Sequence, residues 1–464
     1  MCIEILSRFL ALFGFIELAF KDGSLVLGSL FGKYFRVVTF GESHGRAVGV
    51  VVDGVSPGRP ISEKDIQREL DRRRPGQSRV TSPRNEADRI EILSGVFQGK
   101  TLGSPICMLV WNQDQRSGDY DALKDVFRPG HADFTYQLKY GVRDHRGGGR
   151  ASARETVGRV AAGAIARKEL SELGVVIRAG TVAIGPVIAR ERCWEEANRN
   201  PVRCPDAEAA KLMEDAILKA GAEGNSLGGL VELEIVGVPA GLGDPVFDKL
   251  DATLAHSLMS IGAVKGIEIG EGFNAANLTG LQMNDEMTSG GFLSNRSGGI
   301  LGGISTGAPI VARVAVKPTP SIRLPQKSID RIGQDRTVVI SGRHDPCICP
   351  RIVPVVESMA AIVLYDAWLA NERLQNDGNS LDKLRNEVDR IDAEILDLLR
   401  LREEVSVDIG EVKTEIGMSV LDNGREEAMK ATRGAHADRL GLDRQFVESL
   451  FERIIERSRE VQSR

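Results

Sequence analysis

From Leu381 to the C-terminal Arg464 the chain holds no proline, although 18 prolines precede that point in the 464-residue sequence. Glycine thins there too: only 5 of the 51 glycines follow Leu381. Within the tail, Leu381, Leu384, Val388, Ile391, Ile395, Leu398, Val405, Ile409, Val412 and Ile416 follow one another at spacings of three and four. The one gap in this seam falls at Arg402. The pattern predicts one helix from Leu381 to Ile416, closed by Gly417 and about 54 Å long. A helix of that length needs a partner surface. Asp422-Asn423-Gly424 opens a shorter second helix, and Asp443 caps a third. The third carries Val447, Leu450, Ile454 and Val461 on one stripe, with Ser458 set into it.

The chain before Leu381 follows another rule. Short runs rich in Val and Ile, such as 35–40, 47–55, 104–111, 230–241 and 309–316, have strand length and are punctuated by glycine. Helical patterns lie between them at 61–73, 152–173, 207–220 and 248–259, the first with Ser62 as N-cap and Asp65 three residues on. Residues 371–380, which include an Asp-Gly pair, read as a polar linker. The expected division is therefore an extension over 1–28, an α/β domain over 29–370, the linker, and a helical domain over 381–464.

Charge narrows the function classes. Residues 1–380 hold 45 basic and 45 acidic groups, and the tail 15 and 20, which accounts for the net charge of -5. A globally basic nucleic-acid binder, a mostly disordered chain and a fibrous protein are disfavoured. Six scattered cysteines form no Cys-x-x-Cys pair and no zinc spacing, which points to a reduced, metal-free, cytoplasmic protein. The apolar start, Met1 to Phe20, is interrupted by Glu4, Arg8 and Glu17 and lacks a basic n-region and a cleavage site. It is too short between charges to span a bilayer. It reads as an amphipathic helix or, preferably, as an upstream extension from a miscalled start codon.

Seven segments could carry chemistry. Gly41-Glu42-Ser43-His44-Gly45 puts a histidine on a loop between glycines. Asp71 to Arg79 belongs to a stretch, Lys33 to Arg159, with 22 basic and 16 acidic groups, the bases mostly arginine. That choice favours planar recognition of carboxylate or phosphate. Arg128-Pro129-Gly130-His131-Ala132-Asp133 sets a second histidine beside a turn, and Arg146 to Thr156 opens a helix with glycines, as an anion site would. Ser297 to Gly303, Lys317 to Ser321 and Arg343 to Cys347 are further loops for close approach. Neither nucleotide-binding glycine fingerprint is present. The inventory suits a small polyanion and proton transfer, with no nucleophile triad.

Taken in order, Gly41–Gly45, Asp71–Arg79, Arg128–Asp133, Arg146–Thr156 and Gly342–Cys347 resemble chorismate synthase over about Ser29 to Leu369. The resemblance implies an α+β fold, a β-α-β sandwich, usually tetrameric. It implies 1,4-elimination of phosphate from 5-enolpyruvylshikimate 3-phosphate, with reduced FMN required and no net redox change. His44 would then protonate the departing phosphate, His131 would act on the reduced flavin, and Asp345 would assist proton removal through its N5. Arg73, Arg79, Arg150 and Arg343 match anion-contacting positions. Arg150, Ala151, Ser152, Gly262, Ala263, Gly302, Lys317, Pro318, Thr319, Pro320, Ser321 and Arg343 match flavin-contacting ones. Whether NADPH serves as reductant is left open.

The tail, Leu381 to Gln462, resembles the all-helical chorismate mutases. These convert chorismate to prephenate by a pericyclic rearrangement that needs cations for two carboxylates and donors to an ether oxygen. Arg402, Lys413, Glu426 and Gln462 match catalytic positions of that family. Arg385, Asp422, Arg425 and Ser458 match substrate-binding ones, with Arg385 reaching into a partner's site. The resemblance implies a homo-oligomer, with mutase domains pairing as dimers. An alternative keeps the synthase and makes the tail a dimerisation or regulatory module. A nucleic-acid binder using Arg68–Arg89 is disfavoured by the interleaved acids, and no membrane contact is expected.

Overall fold

The computed structural model describes residues 28–81, 86–113, 123–340, 342, 344–377 and 381–462. The apolar start, Arg84 and Arg343 lie outside the described residues. The chain divides into two compact units, Met1–Arg373 and Leu374–Arg464.

The first unit is built on two five-stranded antiparallel sheets. One has β1 (Leu30–Phe31), β2 (Arg36–Gly41), β3 (Ala47–Asp53), β4 (Ile90–Ile92) and β5 (Ile106–Trp111) in the order β1-β2-β3-β5-β4. The other has β6 (Val176–Ile184), β7 (Val187–Ile188), β8 (Gly229–Val236), β9 (Val264–Ile269) and β10 (Ile310–Val316) in the order β9-β10-β8-β6-β7. Alternation sets their inner faces: Val48, Val50 and Val52 point inward from β3, and Ile310, Ala312, Val314 and Val316 from β10.

Two helices fill the space between the sheets. Helix α3 (Thr156–Glu172) is buried nearly all round, which its Ala- and Gly-rich sequence allows. A β-carbon at Gly158 would fall 2.9 Å from the Gly49 carbonyl on β3, and one at Gly163 2.3 Å from Ser358 Cβ on helix α6 (Cys349–Asp377). Small residues thus let α3 approach the sheet on one side and α6 on the other. Helix α1 (Glu63–Arg73) packs on α3 and begins with the capping box expected at Ser62 and Asp65. Helices α2 (Asp133–Tyr140), α4 (Ala207–Ala222) and α5 (Leu250–Met259) complete the unit.

Helix α6 is not signalled by the sequence pattern. Pro350 stands in its first turn, where a missing N–H costs least, Pro354 lies inside the helix, and its apolar residues surround it instead of forming a stripe. It is long and apolar enough to cross a membrane, but most of that stretch is buried inside the unit as a core helix. It also corrects the linker reading: residues 371–377 are its last turns. The expected helix over 152–173 likewise starts late, at Thr156, after two 3₁₀ turns at Gly149–Ala151 and Ala153–Glu155.

The tail forms α7 (Leu381–Glu415), α8 (Asn423–Leu440) and α9 (Arg444–Gln462). Asp422 accepts from Arg425 N at 2.9 Å and Asp443 from Phe446 N at 2.6 Å, so both expected caps are present. The face of α7 turned to α9 meets the apolar seam at its polar gap. It carries Arg402, Ser406 and Gly410, and a β-carbon at Gly410 would come 2.8 Å from the Gln462 carbonyl. Val388, Ile391, Ile395, Leu398, Val405, Ile409 and Val412 stay 43–65% exposed.

Candidate active site

Loops of the first unit enclose a cavity of about 1040 Å³. His44, Arg73, His131, Arg150, Ala151, Ser152, Gly262, Ala263, Lys317, Thr319, Pro320, Ser321 and Asp345 all line it. Segments remote from one another in sequence, from His44 to Asp345, therefore converge. Three expected residues do not line it. Arg79 is exposed and pairs with Glu214 of α4 at 2.6 Å, Gly302 turns a short hairpin between Leu301 and Gly303, and Pro318 lies toward Gly228.

His44 follows soon after β2 and is buried, its Nδ1 3.1 Å from Ser43 Oγ. A β-carbon at Gly147 would come within 2.2 Å of that nitrogen, so only glycine lets the 146–149 loop close over the ring. His131 sits in a charged cage. Its Nδ1 lies 2.8 Å from Asp133 Oδ1, and Arg128 grips the same carboxylate through Nε at 2.7 Å and Nη2 at 2.8 Å. Burial pushes the His131 pKa down and outweighs the Asp133 hydrogen bond, so the ring is neutral near pH 7. Burial alone would raise Asp133, but hydrogen bonds from Arg128 and His131 prevail and hold it well below the carboxylate range. An ionised Asp133 assigns the proton to His131 Nδ1 and leaves Nε2 as a base.

Asp345 stands two residues from the buried Cys347, and Arg351 of α6 donates to its Oδ2 at 2.5 Å. Arg73, wholly buried, ion-pairs with Asp88, as does Arg154, which also reaches Glu86 at 2.7 Å. Burial would raise Asp88, but the two guanidiniums win and hold its pKa down. Arg73 therefore shapes the wall and is not available to grip a ligand at full strength. Arg150 ties β2 through Thr39 O at 3.0 Å and Thr39 Oγ1 at 2.7 Å. Sequence reasoning missed Asp88, Arg154 and Arg351 as organisers. Asp88 lies 15 residues beyond Arg73, with no motif to join the two.

Lys317 Nζ donates to the Gly130 carbonyl at 2.5 Å, and burial lowers its pKa. Ala263 holds φ +77°, a conformation a residue with a β-carbon adopts only when its surroundings fix it. Thr319 Oγ1 is buried without a hydrogen-bond partner. An orphaned hydroxyl beside a lysine, in a cavity of this volume, fits a bound flavin phosphate or ring.

In the tail, Arg402 Nη1 donates to Ser458 Oγ and, at 3.3 Å, to the Ile454 carbonyl, while burial lowers its pKa. Lys413 Nζ reaches the Val420 carbonyl at 2.6 Å. Glu426 lies 3.6 Å from Arg459, and Gln462 Oε1 is buried without a hydrogen-bond partner. Asp422 caps α8, and Arg425 and Arg385 are exposed. The polar residues inside the helical stripes thus converge on one side of α9.

Comparison with known proteins agrees with both regions. The chorismate synthase family model matches residues 35–369, and the chorismate mutase type II model matches 384–463. Chorismate synthase of Methanosarcina barkeri is 58% identical over 354 residues, which cover 74% of this chain and 96% of that protein. That of Methanosarcina mazei is 58% identical over 351 residues, with the same coverage. A crystal structure of chorismate synthase aligns with a TM-score of 0.60 at 35% identity, over 74% of this chain and 93% of that one.

Proposed function

The chain belongs to the chorismate synthase family and carries a type II chorismate mutase domain behind it, and from this we propose that one polypeptide catalyses two consecutive steps. The first is elimination of phosphate from 5-enolpyruvylshikimate 3-phosphate to give chorismate; the second is rearrangement of chorismate to prephenate. Both belong to aromatic amino-acid biosynthesis. The observation that carries the reading is the convergence of His44, His131 and Asp345 on one arginine-lined cavity.

We assign His44 to donate a proton to the departing phosphate. His131 Nε2 holds a basic lone pair because Asp133 occupies Nδ1. Asp345, oriented by Arg351, would assist removal of the ring proton. Arg150 and Lys317, both on the cavity wall, supply positive field for substrate and flavin anions. Arg343 is a further candidate for that role. Ala151, Ser152, Gly262, Ala263 and Thr319–Ser321 would hold reduced FMN. When bound, that group supplies the electron-rich ring the elimination requires and leaves without net oxidation.

In the tail, Arg402 and Lys413 would take the carboxylates. Gln462 would donate to the ether oxygen, and Glu426, Ser458, Asp422 and Arg425 would position the substrate. The exposed seam of α7 supports pairing of mutase domains between copies, with Arg385 entering the partner's site and the whole enzyme a tetramer. We place the enzyme in the cytoplasm, with NADPH as one source of reducing equivalents.

The test is to incubate the full-length protein with 5-enolpyruvylshikimate 3-phosphate, with and without reduced FMN, and separately with chorismate alone. Phosphate release should require flavin, and prephenate should form from chorismate without it. No phosphate release with flavin present overturns the synthase assignment. Phosphate without prephenate leaves the tail a dimerisation or regulatory module.

A further inference from the structure

Arg433 of α8 combines three features: no carboxylate pairs with it among the described residues, its guanidinium lies over an aromatic ring, and one of its buried nitrogens makes no hydrogen bond. It lies seven residues beyond Glu426, two helical turns along the same face. Its guanidinium carbon sits 4.4 Å above the Phe451 ring of α9, and Nη2 lies 3.3 Å from Met429 Sδ. These contacts hold the group in place without neutralising it. Nη1 is buried and makes no hydrogen bond. Burial lowers the pKa of this group, and the like charges of Arg402 and Arg425 lower it further.

Such an arrangement is unfavourable in the free protein. A buried donor without an acceptor forfeits its hydration, and the loss is greater when the group is charged. Like charges nearby add to that cost. Packing alone would be better served by leucine or methionine against Phe451. A dianionic ligand would reverse the balance, because its carboxylates neutralise the cluster and accept the unmet N–H. We propose that Arg433 is a further substrate-binding residue of the mutase site, donating through Nη1 to a carboxylate of bound chorismate. This rests on the mutase reading of the tail.

A carboxylate remote from the breaking bond is bound about equally in ground state and transition state, so its loss raises KM and spares kcat. The test compares wild type, Arg433→Met and Arg433→Lys in the full-length protein, with chorismate as substrate. Methionine keeps a flexible stem against Phe451 and removes the charge. The expected result is a KM about 10–100-fold higher for Arg433→Met, as for loss of a hydrogen bond to a charged group. Its kcat should stay within about twofold. Its Tm without substrate should be equal to or above that of wild type, and Arg433→Lys should recover part of the loss in KM. Phosphate release by each variant serves as the internal control for enzyme concentration, and the helical circular-dichroism signal reports folding of the tail. An unchanged KM with a lowered Tm would make Arg433 a packing residue and overturn the inference. If Arg433→Met fails to fold, an unchanged KM in Arg433→Lys, which keeps the charge but not the fork, overturns it equally. If wild type itself yields no prephenate, the mutase reading fails instead.

Discussion

The two units hold their cations in opposite ways. In the first, the arginines around the cavity are committed to carboxylates: Arg73 and Arg154 to Asp88, Arg128 to Asp133, Arg351 to Asp345. In the tail, Arg402 rests on a serine hydroxyl and a carbonyl, both neutral. The first arrangement stiffens a cavity before any ligand arrives, around the histidines and Asp345 to which we assign the proton work. The second leaves positive charge for the substrate to satisfy, which suits a rearrangement that needs charge complementarity and no proton transfer. Their apolar surfaces differ as well. The first unit closes one core between two sheets, whereas α7 leaves its apolar seam exposed.

The largest expected effect separates the two chemistries. His44→Ala and His131→Ala should each slow phosphate release by about 10²–10⁴-fold, the usual worth of a general acid or base. Conversion of chorismate to prephenate by the same variants should stay at the wild-type rate. Arg402→Ala should do the reverse. Variants in which both reactions fall together would show that the two regions do not work independently.

The next effect concerns the scaffold. Glu357 of α6 is buried, with Arg72 Nη1 of α1 at 2.5 Å, Arg167 Nη1 of α3 at 2.9 Å and the Ala179 amide of β6 at 3.0 Å. Burial would raise its pKa, but Arg72 and Arg167 win and keep it ionised. Glu357→Ala leaves Arg72 and Arg167 with Glu69 as their remaining carboxylate and the Ala179 amide without its acceptor, and should cost about 1–3 kcal/mol in urea or thermal unfolding of the first unit. A cost below about 1 kcal/mol would mean that Glu69 alone satisfies both guanidiniums.

A smaller effect tests the exposed seam. Ile395→Glu, placed among the exposed apolar residues of α7, should reduce mutase activity on dilution and leave phosphate release unchanged at equal concentration. Dilution curves identical to wild type would sever the seam from subunit pairing.

The tail was the more legible region. Its three helices and both aspartate caps follow from spacing and cap chemistry, which are local. What the spacing could not tell is which residues meet which neighbour: Arg402, Ser406 and Gly410 turn toward α9, and the apolar residues of the seam stay exposed. In the first unit the strands and the helix capped by Ser62 were readable. Helix α6 was hidden by Pro350 and Pro354 and by an apolar surface on every side. The motif loops pointed to the residues of the cavity, but not to how they are held. Asp88 joins Arg73 on α1 to Arg154 at the foot of α3, and Arg351 reaches Asp345 only because α6 begins there. Tertiary closure decides such pairings, and no periodicity announces them.

The smallest expected effect uses pH to sharpen the contrast. His131 has a folded pKa below its ordinary value near 6.5, so the unfolded chain takes up its proton first as pH falls. Its contribution to stability is therefore full above pH 6.5 and is lost as pH drops through 6.5 toward the folded value. Asp133, also depressed, acts in a separate window: its contribution is present above about pH 4 and is lost only in stronger acid. Between pH 7 and 5 the slope from His131 is at most about 1.4 kcal/mol per pH unit. His131→Asn keeps a side-chain N–H for Asp133 and cannot titrate. The measurement is the Tm of wild type and of this variant across pH 5–8. The first unit of wild type should lose more stability on acidification than the variant does. The tail, whose single histidine is the exposed His436, should unfold alike in both. Parallel curves for the first unit would mean that His131 is not held neutral, and the assignment of Nε2 as a base would fall with it.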